Sequence, residues 1–429
     1  MDPDTKFLDL GPGRLANQIV IDLPGSKSES NRAIVLQYLA GGPLTDLTYL
    51  SSARDTTRML ELVGHPGPVW DVGDAGTTCR FLTAMLAILG RRGTITGSAR
   101  MLQRPIALLV TALRDLGADI EYVGMEGFLP LKLNGFVETG TKSIDIPANI
   151  SSQYISALMM VAPLLDGGLE INLVGPLTSK PYLELTMGLM RKWGAQVTFD
   201  DQKFGASVVE GSQTIRVEPS VYHPVSHRIE ADWSSASYWY SMVALSPWTE
   251  VTIVMPGLHL PSTQGDAQIA TIMKQFGVVT EIVPGGLLIK KIAGWQPSEL
   301  PIQIDCTDIP DMAQTFAVMA PMLGQKLILG GLHTLRIKET DRIAALEAEL
   351  PKIGASMQAL DHDRFLMTRV PEPRASIPVI STYQDHRMAM AFAPVAQLRQ
   401  IRIEDPAVVN KSYPAFWDHV RQYGLAVSP

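Results

Sequence analysis

A helix-like stretch that ends in an apolar residue and glycine, then leads into a β-rich segment, occurs six times in this chain of 429 residues. The six junctions are Val63-Gly64, Leu116-Gly117-Ala118, Trp193-Gly194-Ala195, Phe276-Gly277-Val278, Ile353-Gly354-Ala355 and Tyr423-Gly424-Leu425. Their glycines stand 53, 77, 83, 77 and 70 residues apart. Upstream of several lie amphipathic stretches with apolar residues three and four apart, which predict helices over Ile106–Leu116, Leu183–Trp193, Ala267–Phe276 and Asp341–Ile353. Glycine at such an end is the expected left-handed cap. Downstream, alternation over Asp119–Val123 and Gln196–Phe199 predicts strands, and Pro284-Gly285-Gly286 predicts a hairpin turn before Leu287–Lys291. Coincidental caps would not keep a broadly regular pitch, so six copies of one α/β unit are expected.

The copies divide into threes. Glycines 64, 117 and 194 fall in the first half, and 277, 354 and 424 in the second. The polar segment Val221-Tyr-His-Pro-Val-Ser-His-Arg228 reads as a crossing between halves, and Gln18–Leu23 as a second crossing. The N-terminal stretch then belongs with the C-terminal half. This gives a discontinuous outer domain of residues 1–23 plus 229–429 and an inserted domain of residues 24–228. Two domains suit the length, and a ligand site is expected in the cleft of a double hinge.

Composition narrows the function classes. With 46% hydrophobic and 18% charged residues the chain is an ordinary folded protein, and no apolar run approaches a membrane span. A formal charge of −7 gives nucleic-acid or acidic-membrane binding no support. Cys79 and Cys306 are the only cysteines, which fits a reducing compartment. The start, Met1-Asp-Pro-Asp-Thr-Lys6, has the character of neither a signal nor a transit peptide, so the cytoplasm is expected.

Against that acidic background several segments gather cations, hydroxyls and glycines at helix entries. Leu23-Pro-Gly-Ser-Lys-Ser-Glu-Ser-Asn-Arg-Ala-Ile-Val35 places Lys27, Ser28 and Arg32 in a loop feeding a helix from Ala33, a ready anion site that lacks nucleotide P-loop spacing. Gly73-Asp-Ala-Gly-Thr-Thr-Cys-Arg80 is a second such loop, before a helix over Phe81–Leu89. Arg100-Met-Leu-Gln-Arg-Pro105 puts two cations where they oppose a helix dipole. Ser151-Ser-Gln153 heads an apolar helix and reads equally as a cap. In Asp305-Cys-Thr-Asp-Ile-Pro-Asp311, Asp311 alone reads as an N-cap for Met312–Leu323. Leu335-Arg-Ile-Lys-Glu-Thr-Asp-Arg342 packs three cations and two carboxylates into eight residues, beyond what a solvated helix start requires. Tyr383-Gln-Asp-His-Arg-Met-Ala-Met390 runs from charge straight into an apolar helix, and Lys411 precedes another helix-like segment. No zinc spacing, Gly-x-Ser-x-Gly elbow or dinucleotide fingerprint occurs.

Taken together in this order, and with Ser179-Lys-Pro-Tyr182 and Asp232-Trp-Ser-Ser-Ala-Ser237, these segments resemble the 5-enolpyruvylshikimate-3-phosphate synthase family over nearly the whole chain. The resemblance implies a two-domain inside-out α/β barrel, each domain built from three βαβαββ units. It implies transfer of the enolpyruvyl group of phosphoenolpyruvate to the 5-hydroxyl of shikimate 3-phosphate with release of phosphate, on the route to chorismate and aromatic amino acids, and a glyphosate target. It assigns Lys27, Gly76, Arg104, Gln153, Arg342, Arg387 and Lys411 to phosphoenolpyruvate. It assigns Ser28, Arg32, Ser151, Ser152, Gln153, Ser179, Asp311 and Lys338 to the shikimate phosphate, with Lys27 bridging. Asp311 is its base for the hydroxyl and Glu339 its acid for the methylene carbon, with Lys27 close to the chemistry. No metal or organic cofactor is implied, and a monomer with small-molecule substrates only is expected.

Departures from the family pattern include Asp74, Thr334, Glu29 and Gln384. Asp74 is the sharpest, an acid beside an expected anion loop, acceptable if it turns outward or pairs. Two other readings are weighed. The UDP-N-acetylglucosamine enolpyruvyl transferases share the fold but usually carry a cysteine on a mobile loop, which neither Cys79 nor Cys306 matches. An inactive sugar-phosphate-binding paralogue predicts loss of Asp311 or Glu339, and both are present.

Overall fold

The computed structural model describes residues 5–14, 18–149, 151–200, 213–371 and 376–429; residues 1–4, part of the start read above, lie outside them. The chain forms two compact units, Met1–Ser26 with Glu230–Pro429, and Lys27–Ile229.

Five four-stranded sheets among the described residues share one plan. In the Lys27–Ile229 unit, Val69–Asp71 lies parallel to Gly93–Thr96, which pairs antiparallel with Leu131–Phe136, itself antiparallel to Ala118–Tyr122. Along the chain this is strand, helix (Gly76–Ile88), strand, helix (Ala107–Leu116) and hairpin. Ser143–Pro147, Leu169–Val174, Gln213–Val217 and Val197–Asp200 repeat the pairing. In the other unit, Ile302–Asp305, Leu327–Gly330, Phe365–Arg369 and Ala355–Ala359 repeat it again.

Two sheets of that unit borrow a strand from the N-terminus. Phe7–Gly11 pairs antiparallel with both Ile401–Glu404 and Ala426–Ser428. Gln18–Val20 lies parallel to Thr252–Pro256. Gln18–Val20 is thus the first strand of a repeat whose first helix, Trp233–Leu245, follows only after the whole Lys27–Ile229 unit.

The sixth copy is abbreviated. Helices Lys27–Leu39 and Arg54–Val63 accompany a two-stranded parallel sheet of Leu47–Thr48 and His227–Arg228, without a hairpin among the described residues. Its glycine differs accordingly. Gly117, Gly194, Gly277, Gly354 and Gly424 adopt φ of 115°, 98°, 80°, 79° and 111°. Gly64 takes φ −105°, so the left-handed cap expected there is absent. Where a hairpin follows, the chain must reverse sharply off the helix end and needs the left-handed residue; after Val63 it runs on without that reversal.

Four of the repeats carry a helix that is buried along nearly its whole length. Every residue of Gly76–Ile88, Ala313–Met322 and His386–Phe392 is buried, as are all but Ser234 of Trp233–Leu245. A helix apolar on all sides belongs in a core. Trp233–Leu245, Ala313–Met322 and His386–Phe392 pack on one another, and Gly76–Ile88 packs on both Lys27–Leu39 and Ser152–Val161. Strands such as Ala118–Tyr122 and Ser143–Pro147 alternate buried and exposed residues, as sheets with one covered face do.

Two predicted helix starts move toward the N-terminus. Lys27–Leu39 begins at Lys27 rather than Ala33, and Gly76–Ile88 at Gly76 rather than Phe81, so both supposed loops supply the first helical turn itself. Ala267–Phe276 divides into 3-10, α and 3-10 segments, and Asp341–Ile353 turns 3-10 at Leu350, where Pro351 has no N–H for the α ladder. No helix among the described residues is long and apolar enough to cross a membrane.

Candidate active site

The polar residues singled out in the sequence collect at the N-termini of the buried helices, where unpaired amide donors and the positive dipole end face outward. In the Lys27–Ile229 unit, Lys27 opens its helix with Nζ 3.7 Å from Asp55 Oδ2. Arg32, one turn further, is buried. Its Nε donates to Thr186 Oγ1 (2.6 Å), Nη1 to the Ser28 carbonyl (2.9 Å) and Nη2 to Ser156 Oγ (3.0 Å), while the guanidinium lies 5.2 Å from the Phe81 ring centroid. These partners are neutral. Burial therefore pulls Arg32 down to about 10, with Tyr182 opposing. Arg32 fixes the Ser28 turn against two other helices.

Gly76 begins the next buried helix directly against Arg104. A Cβ at Gly76 would stand 2.5 Å from Arg104 Nη1 and 3.1 Å from Cζ. Buried Arg80 holds the neighbouring backbone, its Nη2 donating to the Pro105 carbonyl (3.1 Å) and Nη1 to the Gly76 carbonyl (3.2 Å). Tyr154 donates to the same Pro105 carbonyl at 2.6 Å. Ser151 caps its helix by accepting from the Gln153 amide (3.3 Å), and Gln153 Nε2 donates to Thr77 Oγ1 (3.4 Å). Gly76, Thr77, Arg104 and Gln153 thus share one polar recess. Ser152 is the first residue of its helix, and Ser179, at φ 58°, precedes helix Lys180–Lys192. Asp74 is exposed and accepts from the Ser98 hydroxyl, which turns it outward.

The other unit builds a charge cluster. Arg342, 1% exposed, starts helix Arg342–Glu349, which Asp341 caps through the amides of Ile343 and Ala344. Its Nε donates to Asp385 Oδ2 (2.7 Å), Nη1 to Asp311 Oδ1 (3.1 Å) and Nη2 to Glu339 Oε2 (2.9 Å). Arg387 places Nη2 2.7 Å from Asp311 Oδ2, and its Nη1 donates to Tyr238 Oη and to the Asp311 carbonyl, both at 3.3 Å. Asp385 caps helix His386–Phe392 through the Arg387 amide (2.9 Å). Lys411 Nζ donates to the carbonyl of Gln384 (3.1 Å), which with Tyr383 adopts positive φ, 57° and 53°.

Two arginines hold the Asp311 carboxylate, so the N-cap reading does not account for its principal partners. Burial alone would raise its carboxyl, but Arg387, Arg342 and Lys338 outweigh that and hold it well below the ordinary carboxylate range. Arg342 shows the converse: burial opposes its charge, yet Asp385, Glu339 and Asp311 raise it. Lys338 is lowered, chiefly by burial.

Sequence reasoning missed Asp55, Tyr238 and Asp266, and placed Thr77 in the Gly73–Arg80 loop without a role of its own. None lies in a charged run, and each is brought in by another helix. Cys79 and Cys306 are fully buried, and burial raises both thiols. Among the described residues no group of three or more His, Cys, Asp and Glu side chains is placed to hold a metal ion.

The sequence model described as EPSP synthase (3-phosphoshikimate 1-carboxyvinyltransferase) matches residues 62–420. A Bacteroides fragilis protein named 3-phosphoshikimate 1-carboxyvinyltransferase is 42% identical, over 98% of either chain. A Neisseria meningitidis serogroup B protein of that name is 35% identical over 93% of this chain and 94% of its own. The structure of EPSP synthase from Acinetobacter baumannii superimposes with a TM-score of 0.74 at 21% identity, covering 99% of this chain and 100% of that one. With the family model spanning most of the chain and relatives aligned almost end to end, this protein belongs to the EPSP synthase family.

Proposed function

We propose that this protein joins shikimate 3-phosphate to phosphoenolpyruvate through the 5-hydroxyl and releases phosphate. Family membership supports the reaction class, and one observation carries it to these residues: Arg342 and Arg387 converge on Asp311, with Glu339 on the same Arg342. Two polyanionic substrates need a surface that screens their repulsion, and this otherwise acidic chain concentrates cations there.

Asp311 paired to two arginines is a weak base. A carboxylate or phosphate ligand that engages Arg342 and Arg387 would draw their charge from Asp311 and raise its affinity for a proton as substrate arrives. Glu339 supplies the proton for the methylene carbon. Lys27, Gly76, Arg104, Gln153 and Lys411 join the two arginines in holding phosphoenolpyruvate. Ser28, Ser151, Ser152, Ser179 and Lys338 hold shikimate 3-phosphate, and Arg32 serves by fixing Ser28. The enzyme acts as a cytoplasmic monomer in this reading.

The buried thiols count against the UDP-N-acetylglucosamine reading, since neither is a reactive loop cysteine. Phosphate release with phosphoenolpyruvate and either acceptor is the test. Release with shikimate 3-phosphate alone is expected; release only with UDP-N-acetylglucosamine, or with neither, would overturn the proposal.

A further inference from the structure

A second buried carboxyl group feels the charge of Asp311. Asp266, 5% exposed, lies in the 3-10 turn Gly265–Gln268. Its Oδ2 accepts from the half-exposed Ser234 hydroxyl, while its Oδ1 is buried with no hydrogen-bond partner. Ser234 and Tyr238 are one turn apart on helix Trp233–Leu245 and so share a face. Tyr238 meets Arg387, and Arg387 grips Asp311. From the same face Ser237 bonds Thr315, on the helix that Asp311 precedes. One helix face thus bonds Asp266 through Ser234 and meets the Arg387–Asp311 pair through Tyr238.

We propose that Asp266 and Asp311 form a carboxyl pair carrying one proton, with Asp266 the positioning residue that holds the proton and Asp311 the ion facing the arginines. The charged and titratable groups acting on Asp266 support that division. Asp311 and Asp232 disfavour its ionisation, while Arg387 and the Ser234 hydroxyl favour it. The Cys306 thiol feels its charge, and Glu230 is bound through the adjacent Gln264. Burial leads these effects and raises Asp266 to about 7. Two carboxyls driven apart by their surroundings take opposite protonation states below the higher of the two values, here on the acid side of about 7. Coupling also acts in reverse. When Asp311 receives a proton from a substrate hydroxyl, one of the charges that add to burial in keeping Asp266 neutral disappears. Asp266 then passes an Oδ2 proton to the Ser234 oxygen as Ser234 gives its own hydroxyl proton to water, which leaves the Ser234 hydroxyl donating to the Asp266 carboxylate and the cluster with its net charge unchanged.

The catalytic half of this inference rests on Asp311 as the base; the shared proton does not. Infrared titration of the unliganded protein reads it directly. Wild type should lose a protonated-carboxyl band with a midpoint of about 7. D266N should lack the band, D311N should shift the midpoint down by about one pH unit or more, and S234A should shift it up. No such band at pH 6, or an unmoved midpoint in D311N, would overturn the pair. In turnover, the wild-type limb near neutrality should vanish in D266N, and an unchanged limb would overturn the coupling to catalysis. Normal turnover in D311N would break the base assignment instead, leaving the band assignment intact.

Discussion

Arg32 and Arg342 are both buried arginines near the start of a helix, one in each unit, and their surroundings are opposite. Arg32 is held by hydroxyls and a carbonyl, and its affinity for the proton falls. Arg342 is held by three carboxylates, and its affinity rises. Neutral partners fix geometry without responding to an incoming charge. Carboxylate partners can be displaced by a ligand's anion, so pairing and proton affinity change together. One unit offers a rigid anion cradle and the other a rearrangeable charge cluster.

The sharpest break of this contrast is D311N. It removes the proposed base while keeping the shape, so turnover should fall by roughly 10²–10⁴. Because Asp311 competes with the ligand for Arg342 and Arg387, KM for phosphoenolpyruvate should fall as kcat falls. The variant should also lose about 1–3 kcal/mol of stability, from weakened bonds to charged donors. The stability that wild type gains from the depressed carboxyl is fully present above its ordinary value of 3.8 and is lost as pH falls toward the folded value. Urea unfolding from pH 7 down to 3 should therefore show a steeper decline in wild type than in D311N. Near-normal turnover with a raised KM would place Asp311 among binding residues only.

Next in size is the pair R342A and R32A. R342A strands Asp385, a fully buried carboxylate, and should cost about 3–5 kcal/mol. R32A leaves Ser156 and Thr186, whose hydroxyls already stand 3.0 Å apart and can satisfy each other. It should cost about 1–3 kcal/mol, chiefly in lost hydrogen bonds and packing. Equal losses in chemical denaturation would erase the distinction between the two environments.

G76A tests the cradle. The new Cβ would meet the far end of Arg104, so the guanidinium should shift rather than the backbone. Phosphoenolpyruvate should bind a few-fold more weakly, and the longer phosphonate glyphosate by about tenfold, some 1.4 kcal/mol. Equal weakening of both ligands in competition assays would mean that Gly76 does not line their site.

The smallest effect is expected at Gln384, which takes a left-handed conformation beside the cluster. Asparagine adopts that region more readily, so Q384N should raise stability by about 0.5–1 kcal/mol. A lower melting temperature would show that the Gln384 side chain offsets its backbone strain.

Sequence alone determined the repeat, because apolar periodicity and a helix-ending glycine are local signals. Five of the six glycines take the expected conformation. The motifs in their order also determined the family, and with it the reaction class. What local pattern could not reach was partnership. Asp311 looked like a helix cap because its neighbours in sequence form a helix. Its actual partners lie 31 and 76 residues onward, one from the second helix of its own repeat and one from the next repeat. Gly64 looked like its five counterparts until the sheet showed no hairpin for it to start. Asp266 carried no signal, and Ser234 stood in a matched segment without a role, since their chemistry arises from burial and from a charge on another helix. Desolvation and Coulomb forces depend on distance through space, and only the tertiary structure sets that distance.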